Sequence, residues 1–280
     1  MTASLSAADL LTIVRLEFVS AGRLRWVRLL SAAFALLSVA AAYAAGATSE
    51  LAGPDGFART TMTLVPVVLV LVPLSALVLG ISGQATEPGS EAFLFTQTVS
   101  RSTIVLGRWL GEVAALGGAI VAGLGAGAIV VTFMNGADGL AQYACFVAAS
   151  VVLGVIFLSL AAVIAAATER RTVALGVGVF TWFFFVLLYD GAVLSLAGWM
   201  TGSAGGRLLF GSVFGNPADL VRVVTLSVAG TPNVLGAAGD AWIRFLGGPA
   251  LAFAAATTGL AAWIVAPLAA ATHLIARRDL

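Results

Sequence analysis

Six uninterrupted apolar runs limit what this chain can fold into more than any other feature. They cover residues 29–47, 62–81, 113–134, 140–167, 172–199 and 245–272. Each is long enough to cross a bilayer, whose hydrocarbon core of about 30 Å takes about 20 helical residues. No water-soluble fold hides six such runs: 60% of the 280 residues are hydrophobic and only 10% are charged, against roughly 25% charged in soluble domains. Lipid accommodates them, because helices close their own backbone hydrogen bonds where water is absent. The predicted fold class is therefore all-α integral membrane, with six transmembrane helices. The 32 glycines lie throughout the apolar runs, as suits helices that approach closely in lipid.

A net charge of +1 gives no broad basic field for nucleic acid, so the useful electrostatics lie in where the charges sit. All 14 basic residues are arginine. Ten fall on one side of the predicted topology: Arg15, Arg23, Arg25, Arg28, Arg101, Arg108, Arg170, Arg171, Arg277 and Arg278. Only Arg59, Arg207, Arg222 and Arg244 fall on the other. Arginine-bearing loops stay on the cytoplasmic side. A multi-pass protein of the cell inner (cytoplasmic) membrane is expected, with both termini cytoplasmic.

Residues 1–28 are expected to form a cytoplasmic amphipathic region ahead of a six-helix domain spanning 29–280. Leu10, Leu11, Ile13, Val14, Phe18 and Ala21 share one side of a helical wheel. Thr12, Arg15 and Arg23 lie opposite, with Glu17 as an exception. The pattern fits a helix lying on the membrane surface, and equally an ordinary helical extension. Ala42-Tyr43-Ala44 resembles a signal-peptidase site, but 28 residues precede a 19-residue core, whereas a leader has an apolar core of about 7–15 residues. A retained span is expected. In the second run, Pro66 and Pro73 remove backbone donors two turns apart, which marks either a kinked packing helix or a moving element.

The long connection, residues 200–244, is predicted to be non-cytoplasmic. It is glycine-rich at first and then reads Asn216-Pro217-Ala218-Asp219-Leu220-Val221-Arg222. Asn216 or Asp219 would cap a short helix there, with Leu220, Val223, Val224 and Leu226 on its apolar side. A connection this long is the best candidate for docking a partner outside the membrane.

Catalytic chemistry finds no support. Without lysine, a phosphate-cradling loop ending in Gly-Lys-Ser/Thr cannot form, so this chain is not expected to hydrolyse ATP by itself or to bind a cofactor. Met62, Met134, Cys145, Met200 and the sole histidine, His273, are scattered, which leaves no metal site and no nucleophile triad. Tyr189 and Asp190 lie late in the fifth run. A charged acid at mid-membrane costs about 2.5–3.5 kcal/mol. A rise of about 1.5 Å per residue puts Asp190 about 27 Å beyond Thr172, near the outer interface. It is there either to pair helices or to serve a gate or water-lined path. Glu112 is expected near the start of the third span, where the helix dipole favours an acid. The connection 84–108 contains an apolar stretch, Ala92-Phe93-Leu94-Phe95, that fits either a short amphipathic lever or a solvated turn.

In that connection Glu87-x-Gly89-Ser90, Val99-Ser100-Arg101 and Leu106-Gly107-Arg108 resemble the glutamate–glycine–threonine and arginine–glycine–lysine pattern of type-2 ABC permeases. Serine stands for the usual threonine at Ser90, and arginine for lysine at Arg108. Three further places resemble the permeases of nitrous-oxide reductase maturation: Arg15-x-Glu17 with Arg23-x-Arg25-Trp26, Tyr189-Asp190, and Asn216-Pro217-x-Asp219-x-x-Arg222. The similarity covers nearly the whole chain. It departs in the first cytoplasmic connection, where those permeases carry a richer acidic run than Thr86-Glu87-Pro88.

The resemblance implies a type-2 ABC exporter-like fold. It implies a homodimer with a second copy of the chain, a NosF-like ATPase subunit and a NosD-like periplasmic protein. Glu87, Gly89, Ser90, Arg101, Glu169, Arg170 and Arg171 would receive the ATPase. Asn216, Pro217, Asp219 and Arg222 would dock the periplasmic partner, in the supply of copper or sulfur to nitrous-oxide reductase. Two alternatives stand beside it: export of another cargo, such as a lipid, drug or peptide, and a non-transporting membrane scaffold.

Overall fold

The computed structural model describes residues 7–23, 25–47, 56–84, 101–168, 170–200, 203–228 and 242–277, and within them it is helical without strands. An amino-terminal helix, α1 (Ala7–Arg23), precedes α2 (Arg25–Ala47), α3 (Gly56–Gln84), α4 (Arg101–Asn135) and α5 (Leu140–Ala167). The fifth span, α6 (Arg171–Trp199), contains a π-helical stretch, Phe184–Leu188. Two short helices follow, α7 (Ser203–Ser212) and α8 (Pro217–Val228), and then α9 (Pro249–Ala276). Helices α2, α3, α4, α5, α6 and α9 are long and apolar enough to cross a membrane, as the six runs predict. Because consecutive spans alternate, Gln84, Arg101, Ala167, Arg171 and Ala276 lie at one end of the bundle, termed proximal. Ala47, Gly56, Asn135, Leu140, Trp199 and Pro249 lie at the distal end.

The third span starts well before its apolar run. No proline lies between Arg101 and Val113, and α4 already covers Arg101. Glu112 is thus not near a helix start: it lies three turns into α4 and is fully buried. The sixth span starts later than the run suggests, at Pro249. Gly247 and Gly248 take positive φ of 88° and 125°, which breaks the chain before Pro249, and a proline is favoured in the first turn because its missing N–H has no helical partner to lose.

Helices α3, α4 and α5 form the centre. Leu64, Leu77, Leu116, Ile120, Leu124, Leu153, Ile156 and Phe157 are buried to within 1–2%. Lipid supplies no hydrophobic drive between spans, so close packing must hold them. On α4, an added Cβ at Gly123 would meet the Ser31 carbonyl at 2.9 Å, and one at Gly127 the Ser38 carbonyl at 2.9 Å. Ser38 of α2 donates from Oγ to the Gly123 carbonyl at 2.8 Å and accepts from the Gly127 N–H at 3.1 Å. Tyr143 of α5 donates to the Leu124 carbonyl at 2.8 Å.

The same helix receives α1 one stretch earlier. At Gly111 an added Cβ would lie 2.9 Å from the Val14 carbonyl and 3.0 Å from the Phe18 nitrogen, and at Gly107 it would lie 2.6 Å from Ile13 Cγ2. The packed side of α1 is therefore Ile13, Val14, Glu17 and Ala21. Leu11, Leu16, Phe18 and Val19 are exposed, so Glu17 belongs to the contact stripe rather than being an exception to it. Helix α3 runs continuously through Pro66 and Pro73, and between them the Val70 carbonyl accepts from Trp182 Nε1 of α6 at 3.0 Å.

Candidate functional site: a polar latch at the distal end

Two motifs that are far apart in sequence meet at the distal end. Tyr189 and Asp190 follow the π stretch of α6, and Asn216 to Arg222 open α8. Phe184–Leu188 contains no proline or glycine, yet the backbone widens there. A π turn shifts carbonyls off the usual i→i−4 register. One of them, the Phe185 carbonyl, accepts from Asn216 Nδ2 at 3.0 Å. Asn216 also caps α8: its Oδ1 accepts from the Ala218 N–H at 3.0 Å, and Pro217 fills the first helical position. Of the two expected caps, Asn216 is the one used. Tyr189 donates from its hydroxyl to the Ser212 carbonyl at 2.7 Å, and Trp263 of α9 donates to the Phe214 carbonyl at 3.0 Å.

Charge sits at the rim of this junction. Arg222 pairs with Asp219 one turn back on α8 and with Asp190 of α6 at 3.4 Å. Asp219 also accepts from Asn216 Nδ2 at 3.1 Å. Its side chain is 11% exposed, whereas that of Asp190 is 53% exposed. Burial lifts the Asp219 carboxyl from the usual 3.8 to about 7, a hydrogen bond with Asp190 and its charge add to the lift, and Arg222 and Asn216 oppose it. Two acids and one arginine therefore share the site with a titratable proton. Beneath them lies an apolar floor in which Leu220 is fully buried, with Trp242, Ala252 and Ala256 beside it and Phe210 and Phe214 packed on it.

The other predicted site residues do not converge in this way. Arg15, Arg25 and Trp26 are exposed, Arg23 closes α1 and Arg101 opens α4. Arg170 and Arg171 are exposed at the proximal start of α6. Glu87, Gly89, Ser90 and Glu169 lie outside the described residues. Sequence reasoning missed the backbone partners of the latch, the Phe185 and Ser212 carbonyls, because side-chain identity carries no signal for a π turn in Phe-Phe-Val-Leu-Leu. It also missed the contact of Glu17 with α4, for which the Gly107-x-x-x-Gly111 spacing was a readable hint.

Comparison with known proteins gives this architecture a lineage. The family model described as "ABC-2 family transporter protein" matches residues 11–280. A protein of Pseudomonas aeruginosa named "Probable ABC transporter permease protein NosY" is 32% identical over 279 residues, covering 96% of this chain and 98% of the relative. A protein of the same name from Stutzerimonas stutzeri is 31% identical over 222 residues, covering 77% of this chain and 80% of that one. The chain belongs to the ABC-2 family of transporter proteins, as a multi-pass permease subunit that leaves ATP hydrolysis to a partner ATPase.

Proposed function

We propose that two copies of this permease, driven by a NosF-like ATPase carrying ATP and Mg, relay motion across the membrane to a NosD-like periplasmic protein. The relay would serve copper or sulfur supply to nitrous-oxide reductase. The names of the two relatives support the system, and the arginine distribution supports a cytoplasmic proximal end. In this reading the connection 84–108, with Glu87, Gly89, Ser90 and Arg101, receives the ATPase together with Glu169, Arg170 and Arg171. Helix α1, through Arg15, Glu17 and Arg23, and Arg25 and Trp26 at the head of α2 form the interfacial collar beside it. Asn216, Pro217, Asp219 and Arg222 dock the periplasmic partner.

The observation that carries the proposal is the latch. A span that starts between two exposed arginines at the proximal end is tied near its distal end, by Asn216, Tyr189 and Arg222, to the helices of the long connection. Displacement of α6 would therefore move α8. Co-purification tests the core: a tagged NosF-like ATPase should bring down the permease, and Glu87→Arg should abolish stimulation of its ATPase activity. No complex, or full stimulation in the variant, would end the reading. Pull-down of a NosD-like protein should weaken severalfold in Asn216→Ala while the ATPase complex persists.

A further inference from the structure

A second polar cluster lies at the proximal end, beneath α1. Glu112 of α4 is fully buried, and neither of its carboxyl oxygens, both sealed from solvent, accepts a hydrogen bond of normal geometry. The side chain points at Gly83 of α3, where Glu17 of α1 arrives as well. A Cβ placed on Gly83 would collide with Glu112 Oε1 and lie 3.2 Å from Glu17 Oε1. Glycine at 83 thus leaves the space into which two carboxyl groups from two different helices project. Burial raises the Glu17 carboxyl, and Arg108 opposes the rise.

The groups facing the pair come from each helix packed around it. Helix α4 supplies Arg108, one turn before Glu112, which acts on both acids through space. Helix α3 supplies Gln84, whose amide also faces Glu112 and donates to the Val105 carbonyl at 3.4 Å. From helix α5, Leu158 and Ala161 lie beside Gly80. Among the described residues, one arginine therefore stands against two acids. An unpaired buried ion costs several kcal/mol even after relaxation, and a second carboxylate alongside adds repulsion, so two acids at one site resist ionising together. A positive ligand must complete the charge. A hard metal cation wants about six oxygen ligands, which two carboxyl groups and one amide do not supply, and Arg108 repels it. A proton needs only the two acids.

We propose that Glu17 and Glu112 form a proton-binding site that fastens α1 to α3 and α4, one proton being held by the pair while α1 is docked. Lifting α1 separates the acids, lets water reach both and releases that proton to the proximal solution. Re-docking takes one up. The inference is independent of which ATPase or cargo the permease serves.

Infrared titration of the purified full-length chain in lipid nanodiscs tests it. The wild type should show the carbonyl band of a protonated, buried carboxylic acid at neutral pH, and the difference spectrum against Glu112→Gln should isolate that band. Glu17→Gln removes the neighbouring charge and adds a donor, so it should weaken proton affinity at Glu112 at least tenfold. A spin label at exposed Ser20 should gain mobility over the same pH interval in the wild type and lose that pH dependence in Glu112→Gln. An unchanged band in Glu112→Gln, or a wild-type titration in Glu17→Gln, would overturn the proposal. So would a response to sodium concentration in place of pH. Should Glu112→Gln fail to fold, the Glu17→Gln titration still decides.

Discussion

At the distal latch, one guanidinium serves two acids of unequal burial, and the inequality sets what each pair contributes. Asp190 is 53% exposed and sits at 3.4 Å from Arg222, so solvent screens it and a double-mutant cycle should give under about 1 kcal/mol. Asp219 is 11% exposed, and losing its cation leaves a buried acid among polar groups that cannot fully satisfy it. Arg222→Gln should therefore destabilise the detergent-purified chain by about 1–3 kcal/mol, read from thermal unfolding, with most of the loss recovered in an Asp219→Asn background. The proton matters too. With the folded carboxyl at about 7 and the usual value at 3.8, the folded state binds more protons than the unfolded state across that window. Unfolding free energy from this group thus falls as pH rises from about 4 to about 7 and is flat above. Amide exchange in α8, corrected for intrinsic rates, should accelerate over that interval in the wild type and lose the dependence in Asp219→Asn.

At the level of the helices, close approach governs what can be substituted. Gly111 faces backbone atoms of α1, the Val14 carbonyl at 2.9 Å and the Phe18 nitrogen at 3.0 Å. Backbone cannot rotate aside as a side chain can, so Gly111→Val should lift α1 and raise the mobility of a spin label at Ser20. Gly118, on the same helix, has nothing within 4 Å, and Gly118→Val should leave the label's mobility unchanged and the stability within about 0.5 kcal/mol of the wild type. Asn216 works in the other direction, by filling a vacancy: it satisfies the Phe185 carbonyl and an amide of α8 together. Its replacement by alanine should cost about 1–2 kcal/mol. Length and unbroken apolarity made the spans readable, because a helix must be apolar over about 20 residues to cross lipid. The helix ends were less readable: Arg101 to Glu112 is polar enough to resemble a connection yet contains no proline. The π stretch was not readable at all, since its partner lies 31 residues away and the widening answers to tertiary contact, not to local propensity. Asn216-Pro217, by contrast, announced a helix start on capping chemistry alone.

For the molecule as a whole, the two polar clusters sit at opposite ends of one bundle: Glu17, Arg108 and Glu112 at the proximal end, and Asp190, Asp219 and Arg222 at the distal end. The central helices α3, α4 and α5 are tightly packed, whereas α6 and α9 leave large apolar side chains uncovered, among them Phe180 at 63% and Trp199 at 88% exposure. Which end meets ATP depends on orientation, and the sequence argument for it is the ten-to-four division of arginines, a rule about insertion that the packing of the helices does not encode. The single native thiol, Cys145, makes the experiment simple, because its replacement by alanine gives a cysteine-free background. Exposed positions Arg170 and Arg277 at the proximal end, and Asp138 at the distal end, then take one cysteine each. A membrane-impermeant maleimide should label Asp138→Cys in intact spheroplasts and reach Arg170→Cys and Arg277→Cys only after permeabilisation. Labelling of Arg170→Cys from outside would put the arginine turns in the wrong compartment for an ATPase, and the coupling surfaces assigned to 84–108 and 169–171 would have to be abandoned, whatever the latch does at the other end.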